Sequence, residues 1–144
     1  MNNIKDRLKG SLYGFAIGDA MGATTEFMSE AEIKSEYGKL TDIVGGGWLD
    51  LKAGEVTDDT QMSICVMEVL MKNDFKNFKK DVADSFLALY DTNPKDIGNQ
   101  CRRALAFYKE SGNYIAEDNT ALGNGSLMRA LPCALLNSEK SVEI

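Results

Sequence analysis

The chain has 144 residues, of which 44% are hydrophobic and 26% are charged, so it can bury a core and has the composition of an ordinary globular protein. Its net charge of −6 argues against direct binding to nucleic acid or to an anionic membrane, because both require a basic face. The sequence contains no histidine, which excludes histidine-ligated zinc and Ser-His-Asp or Cys-His catalysis. Any catalysis must use carboxylates, hydroxyls, backbone amides or a hard metal ion.

Neither an export signal nor a membrane span is predicted. Glycines and Asp19 interrupt the apolar residues near the N-terminus, and no stretch approaches the roughly 18 apolar residues of a membrane helix. Cys65, Cys101 and Cys133 lie far apart with no CxxC pair, which predicts reduced thiols in the core. We therefore expect a cytoplasmic protein.

Apolar residues recur at helical spacing and no run alternates with the period of a strand, so the predicted fold class is all-α. The sequence shows no repeat, linker or low-complexity segment, and we expect one domain over residues 1–144. In chain order, the predicted helices cover residues 3–21, 30–38, 59–72, 75–91, 94–112 and a segment that begins near 125.

Several local patterns define these helices. In the first, Gly10, Gly14, Gly18 and Gly22 fall at a period of four, which predicts that another backbone or a ligand approaches closely. A capping box from Ser29 to Glu32 begins the second helix, an N-cap and Pro pair at 93–94 begins the fifth, and Gly112 ends the fifth. Pro132 lies early in the last helix, where it is either tolerated or forms a kink.

The segment GEVTDDTQMS, residues 54–63, places two adjacent acids before an apolar run. One interpretation is an ordinary helix start, in which Asp58 is the N-cap and forms a capping box with Gln61. The other is a site for Mg²⁺, Mn²⁺ or Ca²⁺, because the second acid is surplus to a cap and Thr57 and Thr60 add hydroxyl oxygens. Local physics alone favours the cap.

Two further segments carry candidate residues. Asp19 ends a mostly apolar helix and is predicted to be a cap or the partner of an arginine, and Glu26 follows it in a loop. In LGNGSLMRALP, residues 122–132, a Gly-Asn-Gly turn precedes Ser126 and a predicted helix, with Arg129 one turn further on. Free amides and glycines in this order resemble a phosphate cradle, although an ordinary turn is the alternative.

Three segments in order, GSLYGFAIGDAMGATTEF (10–27), GEVTDDTQMS (54–63) and GNGSLMRALP (123–132), resemble the ADP-ribosylglycohydrolases. The resemblance implies an all-α orthogonal helical bundle, a two-metal site with Mg²⁺ or Mn²⁺, and hydrolysis of the bond between ADP-ribose and a protein side chain. It implies that Thr57, Asp58 and Asp59 are metal ligands and that Glu26 and Asp59 are catalytic. Residues implied to contact the substrate are Gly123, Asn124, Gly125, Ser126, Arg129 and Asp19.

The resemblance covers only the N-terminal half of the family pattern, since the family's second Asp-x-Asp-Thr motif does not occur in this sequence. We therefore expect one of three situations. The chain is a hydrolase completed by another chain, an inactive module that binds ADP-ribose or a protein, or a homo-oligomer that completes the site between copies. Half of an α-helical domain would leave apolar helix faces exposed, so we expect a homo-oligomer or a complementary chain. The expected ligand is ADP-ribose or an ADP-ribosylated protein.

Overall fold

The structure is a computed structural model that describes residues 3–72, 74–115 and 123–136. Across these ranges it contains helices and one isolated bridge, between Gly46 and Leu51, and no strand, which confirms the predicted all-α fold class. The elements are α1 (Ile4–Thr25), α2 (Glu30–Glu36), α3 (Asp58–Met71), α4 (Phe78–Asp91), α5 (Asn99–Ser111), a 3₁₀ turn (Leu127–Arg129) and α6 (Ala130–Leu136). No helix in the described ranges is long and apolar enough to cross a membrane.

The chain divides into two compact units, residues 1–60 and 61–144. The first contains α1, α2, the long loop that follows them and the first three residues of α3. The second contains the remainder of α3 and the later helices. Most buried side chains of the first unit are small or polar, such as Ala23, Thr24 and Thr57, with Leu51 the large apolar exception. Most of those in the second unit are larger and apolar, such as Met62 and Val69.

In the first unit, α1 extends four residues beyond its predicted end. Ala20, Ala23 and Thr24 are buried on this last part of the helix, and their packing outweighs the helix-breaking tendency of Gly22. The predicted capping box opens α2, where the Ser29 amide donates to Glu32 Oε2 over 2.7 Å and the Glu32 amide donates to Ser29 Oγ over 3.3 Å.

The glycine stripe of α1 does not pack against another backbone of its own unit. Within the described residues of that unit, no atom outside the helix lies within 4 Å of where a Cβ would stand at Gly10, Gly14, Gly18 or Gly22. The prediction of a close backbone approach is therefore wrong there. Two of these glycines, Gly18 and Gly22, line an open cavity instead, so the ligand alternative stays a prediction.

The loop between α2 and α3 contains a tight hairpin. The Gly46 amide donates to the Leu51 carbonyl over 2.7 Å, and the Leu51 amide donates back to Gly46 over 3.0 Å. Gly45, Gly46 and Gly47 all have positive φ, at 73°, 81° and 67°, which explains why three glycines occur together. Leu51 is buried and anchors the base of the hairpin.

In the second unit, α3 buries Met62, Cys65, Val66 and Val69, at the helical spacing that predicted it. α4 packs against α5, where Lys109 pairs with Asp91 over 2.7 Å and the Tyr108 hydroxyl donates to Asp84. The exposed ion pair contributes little to stability. The cysteines differ from the prediction that all are core residues: Cys65 is buried, Cys101 half-buried and Cys133 exposed.

Asn93 and Pro94 end α4 rather than open α5, so the predicted start of the fifth helix is wrong. Asn93 has φ of 54°, which asparagine tolerates, and its amide donates to the Tyr90 carbonyl over 3.0 Å. α5 begins at Asn99, after Gly98. Its predicted end is confirmed, because Gly112 adopts φ of 70° and closes the helix.

The last helix also starts later than predicted. A bond from the Leu127 amide to the Asn124 carbonyl, over 2.9 Å, forms a 3₁₀ turn where the sequence predicted an α-helix from about residue 125. Pro132 is the third residue of α6. The first amides of a helix have no partner within that helix, so proline is tolerated there.

Candidate functional site

An acidic cavity of about 320 Å³ lies in the first unit. Its lining comes from the last two turns of α1 and from the start of α3, segments that are more than thirty residues apart. The lining residues are Gly18, Asp19, Gly22, Ala23, Thr25, Glu26, Thr57 and Asp59. Four predicted site residues, Asp19, Glu26, Thr57 and Asp59, are therefore brought together.

Asp19 binds the N-terminus of α3. Its carboxylate accepts hydrogen bonds from the Thr57 amide at 3.0 Å, the Thr57 hydroxyl at 2.7 Å and the Thr60 amide at 3.1 Å. Amides at a helix N-terminus have no partner within the helix and favour a negative charge. The prediction that Asp19 is a cap is thus confirmed, although the helix that it caps is α3 and not its own.

The local cap of α3 is Thr57 and not Asp58, which corrects one of the two interpretations of this segment. Thr57 precedes the first residue of α3, and its Oγ1 accepts a hydrogen bond from the Asp59 amide over 3.3 Å. Asp58 belongs to the first turn of the helix and is buried, 7% exposed. Its side chain is not among those lining the cavity. Its predicted role as a metal ligand stays a prediction.

Asp59 is half-buried and lies among other acids. Burial raises its pKa above the ordinary aspartate value, and the negative charges of Asp19, Asp58 and Glu26 raise it further. A hydrogen bond with Thr57 offsets part of the rise. Ionising Asp59 therefore costs more than ionising an aspartate in water, and a bound cation would relieve this cost.

The lining of the acidic cavity offers oxygen donors to a divalent metal ion. The donor atoms are carboxylate and hydroxyl oxygens, the kind that Mg²⁺ and Mn²⁺ prefer. In the part of the chain that the structure describes, no group of three or more Cys, Asp or Glu residues is arranged to hold a metal ion. The type of donor atom thus suits Mg²⁺ or Mn²⁺, but the described residues do not by themselves form a metal-binding group.

Glu26 lies at the exposed rim of the cavity, directly after α1. Its Oε2 accepts a hydrogen bond from the indole nitrogen of Trp48 over 2.8 Å. Trp48 was not predicted as a site residue. The only indication in the sequence was its position directly after three glycines, in a segment interpreted as a loop.

The Gly-Asn-Gly-Ser segment lies in the second unit, beside a cavity of about 260 Å³. Gly123, Gly125, Ser126 and Arg129 line this cavity, whereas Asn124 is exposed. The Leu127 and Arg129 amides are bonded within the turn, to the carbonyls of Asn124 and Ser126. These two amides are therefore not free to bind a phosphate, unlike those of the predicted cradle.

The Arg129 guanidinium contacts two sulfur atoms and an aromatic ring. Its guanidinium carbon lies 5.2 Å from the centre of the Phe86 ring, and Nη1 lies 3.3 Å from Cys101 Sγ and 3.8 Å from Met62 Sδ. A cation over an aromatic face is stabilised by the ring quadrupole. These contacts place the Arg129 guanidinium at the cavity wall.

Comparison with known proteins agrees with the resemblance. The profile of the ADP-ribosylglycohydrolase family matches residues 1–144. The chain is 40% identical over 134 residues to the ADP-ribosyl-[dinitrogen reductase] glycohydrolase of Rhodospirillum rubrum, a match that covers 92% of this chain and 45% of that protein. It is 37% identical over 145 residues to the ADP-ribosylarginine hydrolase Tri1 of Pseudomonas putida, covering 90% of this chain and 36% of that protein.

A solved structure supports the same assignment. An ADP-ribosylglycohydrolase-related protein complex matches with a TM-score of 0.76 and 34% identity, over 93% of this chain and 44% of that one. The chain thus spans less than half the length of these relatives. The extent of the family match leaves one conclusion: the chain belongs to the ADP-ribosylglycohydrolase family.

Proposed function

We propose that this chain takes part in the metal-dependent hydrolysis of the bond between ADP-ribose and a protein side chain. One structural observation carries the proposal: Glu26, Thr57 and Asp59, from segments far apart in sequence, line a single cavity. The similarity to an ADP-ribosyl-[dinitrogen reductase] glycohydrolase and to an ADP-ribosylarginine hydrolase supports this reaction and a modified protein as substrate.

We assign Thr57, Asp58 and Asp59 to a Mg²⁺ or Mn²⁺ site, with further ligands from water or substrate. Support comes from their oxygen donors and from the excess negative charge that raises the pKa of Asp59. When bound, such a cation lowers the pKa of a coordinated water and polarises a substrate oxygen. Neutralising the acids also lets an anionic substrate approach the cavity.

We assign proton transfer to Glu26 and Asp59. Hydrolysis of a glycosidic bond requires a carboxyl group that gives a proton to the leaving group or takes one from water. Glu26 is suited to this role because it is exposed at the rim of the cavity, where a large substrate has access. Asp59 is assigned this role from the family resemblance and because it lines the same cavity as Glu26.

We assign contacts with ADP-ribose to the residues that the family resemblance implied. Gly123, Gly125, Ser126 and Arg129 line one cavity, where the guanidinium offers a positive charge to a phosphate, and Asn124 is exposed beside them. Asp19 lines the acidic cavity and contributes at least by fixing the start of α3.

The proposal is tested by measuring release of ADP-ribose from an ADP-ribosylated arginine peptide with excess Mg²⁺ or Mn²⁺. We expect release that stops when a chelator is added and falls at least about a hundredfold in the Asp58→Asn, Asp59→Asn double variant. A matched control is the double variant Asp6→Asn, Asp42→Asn, which changes two exposed acids of the same unit by the same charge.

Absence of release with either cation would contradict hydrolysis by this chain alone. Binding of ADP-ribose without release would then favour the alternative of a binding module, and release restored by a second chain would favour a split enzyme.

We also propose that the chain associates with copies of itself or with a complementary chain. Several large apolar side chains are exposed, including Tyr13 at 67%, Met71 at 77% and Leu127 at 73%. Exposed apolar side chains of this size can be buried against another chain. We expect gel filtration with mass measurement to give more than one chain per particle, and a monomer at tens of micromolar would contradict this.

A further inference from the structure

Trp48 contacts a proposed catalytic residue but has no role in the proposed function. Its indole N–H donates to Glu26 Oε2 over 2.8 Å, a bond between residues 22 positions apart in sequence. We propose that Trp48 is a positioning residue, which fixes the Glu26 carboxylate at the rim of the acidic cavity through this bond. This inference rests on the proposed function, in which the Glu26 carboxyl transfers a proton and must therefore be held in one orientation.

The hairpin of residues 45–51 sets the position of the indole. Gly47 lies so close to the end of α1 that a Cβ there would collide with the Ala23 carbonyl oxygen and approach Thr24 Cα to 3.2 Å. A Cβ at Gly45 would lie 2.7 Å from the Ala53 nitrogen. Only glycine allows both close approaches. The approach at Gly47 seats the backbone before Trp48 directly on the end of α1, next to Glu26.

Phe27, which directly follows Glu26 in the sequence, also contacts the Trp48 indole. The rings of Phe27 and Trp48 meet edge to face, with centroids 5.5 Å apart and an angle of 60° between their planes. This is a favoured aromatic geometry. Phe27 reaches it with φ of 64°, an unfavourable value for a bulky residue, and is 82% exposed. The local strain is consistent with a functional constraint on the Glu26–Phe27 segment.

The consequence for Glu26 is a loss of freedom. A glutamate directly after a helix has three rotatable side-chain bonds and, at an exposed rim, would sample many orientations. The indole occupies Oε2, while Oε1 accepts no hydrogen bond from the described residues. One oxygen is thus held and the other left for a proton or a substrate group. A carboxyl held in one orientation needs less reorganisation in the reaction.

The bond can be observed directly because Trp48 is the only tryptophan in the chain. The wild-type protein labelled with ¹⁵N should give one indole N–H signal, shifted downfield by the carboxylate and slow to exchange with water. Glu26→Ala should move the signal to the free-indole position and speed its exchange. Glu26→Gln should restore most of the protection, because its amide oxygen also accepts. An indole signal unchanged in Glu26→Ala would overturn the proposal.

The positioning role is tested with Trp48→Phe, which keeps an aromatic ring for Phe27 but removes the donor. We expect kcat for ADP-ribose release to fall about tenfold to a hundredfold, with KM changed less than about twofold. Tyr37→Phe, which likewise removes the donor of an aromatic side chain but lies at the end of α2 and does not line the acidic cavity, is the control and should match the wild type. Wild-type kcat in Trp48→Phe would refute positioning. If even the wild type releases nothing, the proposed function fails, and the indole signal alone still decides whether Trp48 holds Glu26.

Discussion

Asp19 shows how one carboxylate can serve both the fold and the site. It accepts the amides of Thr57 and Thr60 and the Thr57 hydroxyl, and it also lines the acidic cavity beside Asp59. Its carboxylate is hydrogen-bonded to the start of α3, and its negative charge raises the pKa of Asp59. A residue that a sequence pattern presents as an isolated acid is therefore the connection between α1 and the candidate metal ligands.

Replacing Asp19 should destabilise the fold even without a ligand. Asp19→Ala leaves the Thr57 and Thr60 amides without their acceptor, and we expect the free energy of unfolding to fall by about 2 kcal/mol. Asp6→Ala, an exposed acid in the first turn of α1, is the control and should cost less than about 0.5 kcal/mol. Urea denaturation measures both. Equal effects in the two variants would show that Asp19 does not cap α3.

Replacing Asp59 should stabilise the fold at neutral pH, whereas replacing Asp19 should destabilise it. Because its pKa is raised in the folded state, the charged carboxylate lowers stability above the folded pKa, and this cost disappears as pH falls toward the ordinary value of about 3.9. Asp59→Asn should therefore raise the melting temperature by about 1–4 °C at pH 7 in metal-free buffer. The gain should shrink progressively as the pH is lowered toward 4.

Thermal melts across this pH range, with and without Mg²⁺, check the prediction. Saturating Mg²⁺ should stabilise the wild type and not the variant, because a bound cation offsets the crowded charges. A variant less stable than the wild type at pH 7 without metal would contradict the electrostatic account.

Among the elements, the hairpin of residues 45–51 depends most on individual glycines. Gly46 and Gly47 both have positive φ, but a Cβ at Gly46 meets nothing within 4 Å, whereas at Gly47 it meets the end of α1. Gly46→Ala should cost only the backbone strain, about 1–2 kcal/mol, and Gly47→Ala should cost clearly more. Denaturation midpoints of the two variants measure the difference. Equal costs would mean that the hairpin is not seated on α1.

The helices were predictable where local sequence alone decides them. The capping box of α2, the apolar spacing of α3 and the closing glycine of α5 each depend on residues within a few positions. The start of α5 was missed because Asn93 and Pro94 suit the end of one helix as well as the start of the next. The late start of α6 was missed because a 3₁₀ turn has no distinct composition.

The acidic site was predictable only in part. The segments that contain Asp19, Glu26, Thr57 and Asp59 were recognised from their resemblance to a family, and all four residues line one cavity. Asp19 capping α3 and Trp48 binding Glu26 are contacts between segments 38 and 22 residues apart. No periodicity or spacing rule predicts such contacts, because they depend on how the loop folds back onto α1.

For the molecule as a whole, we propose that the acidic cavity makes ADP-ribose binding dependent on a divalent cation. Calorimetric titration of ADP-ribose into the chain, with and without Mg²⁺, tests this most directly. We predict measurable binding that strengthens at least about tenfold with Mg²⁺ in the wild type and shows no such gain in Asp59→Asn. Equal affinity with and without the cation, or no binding in either condition, would contradict the claim.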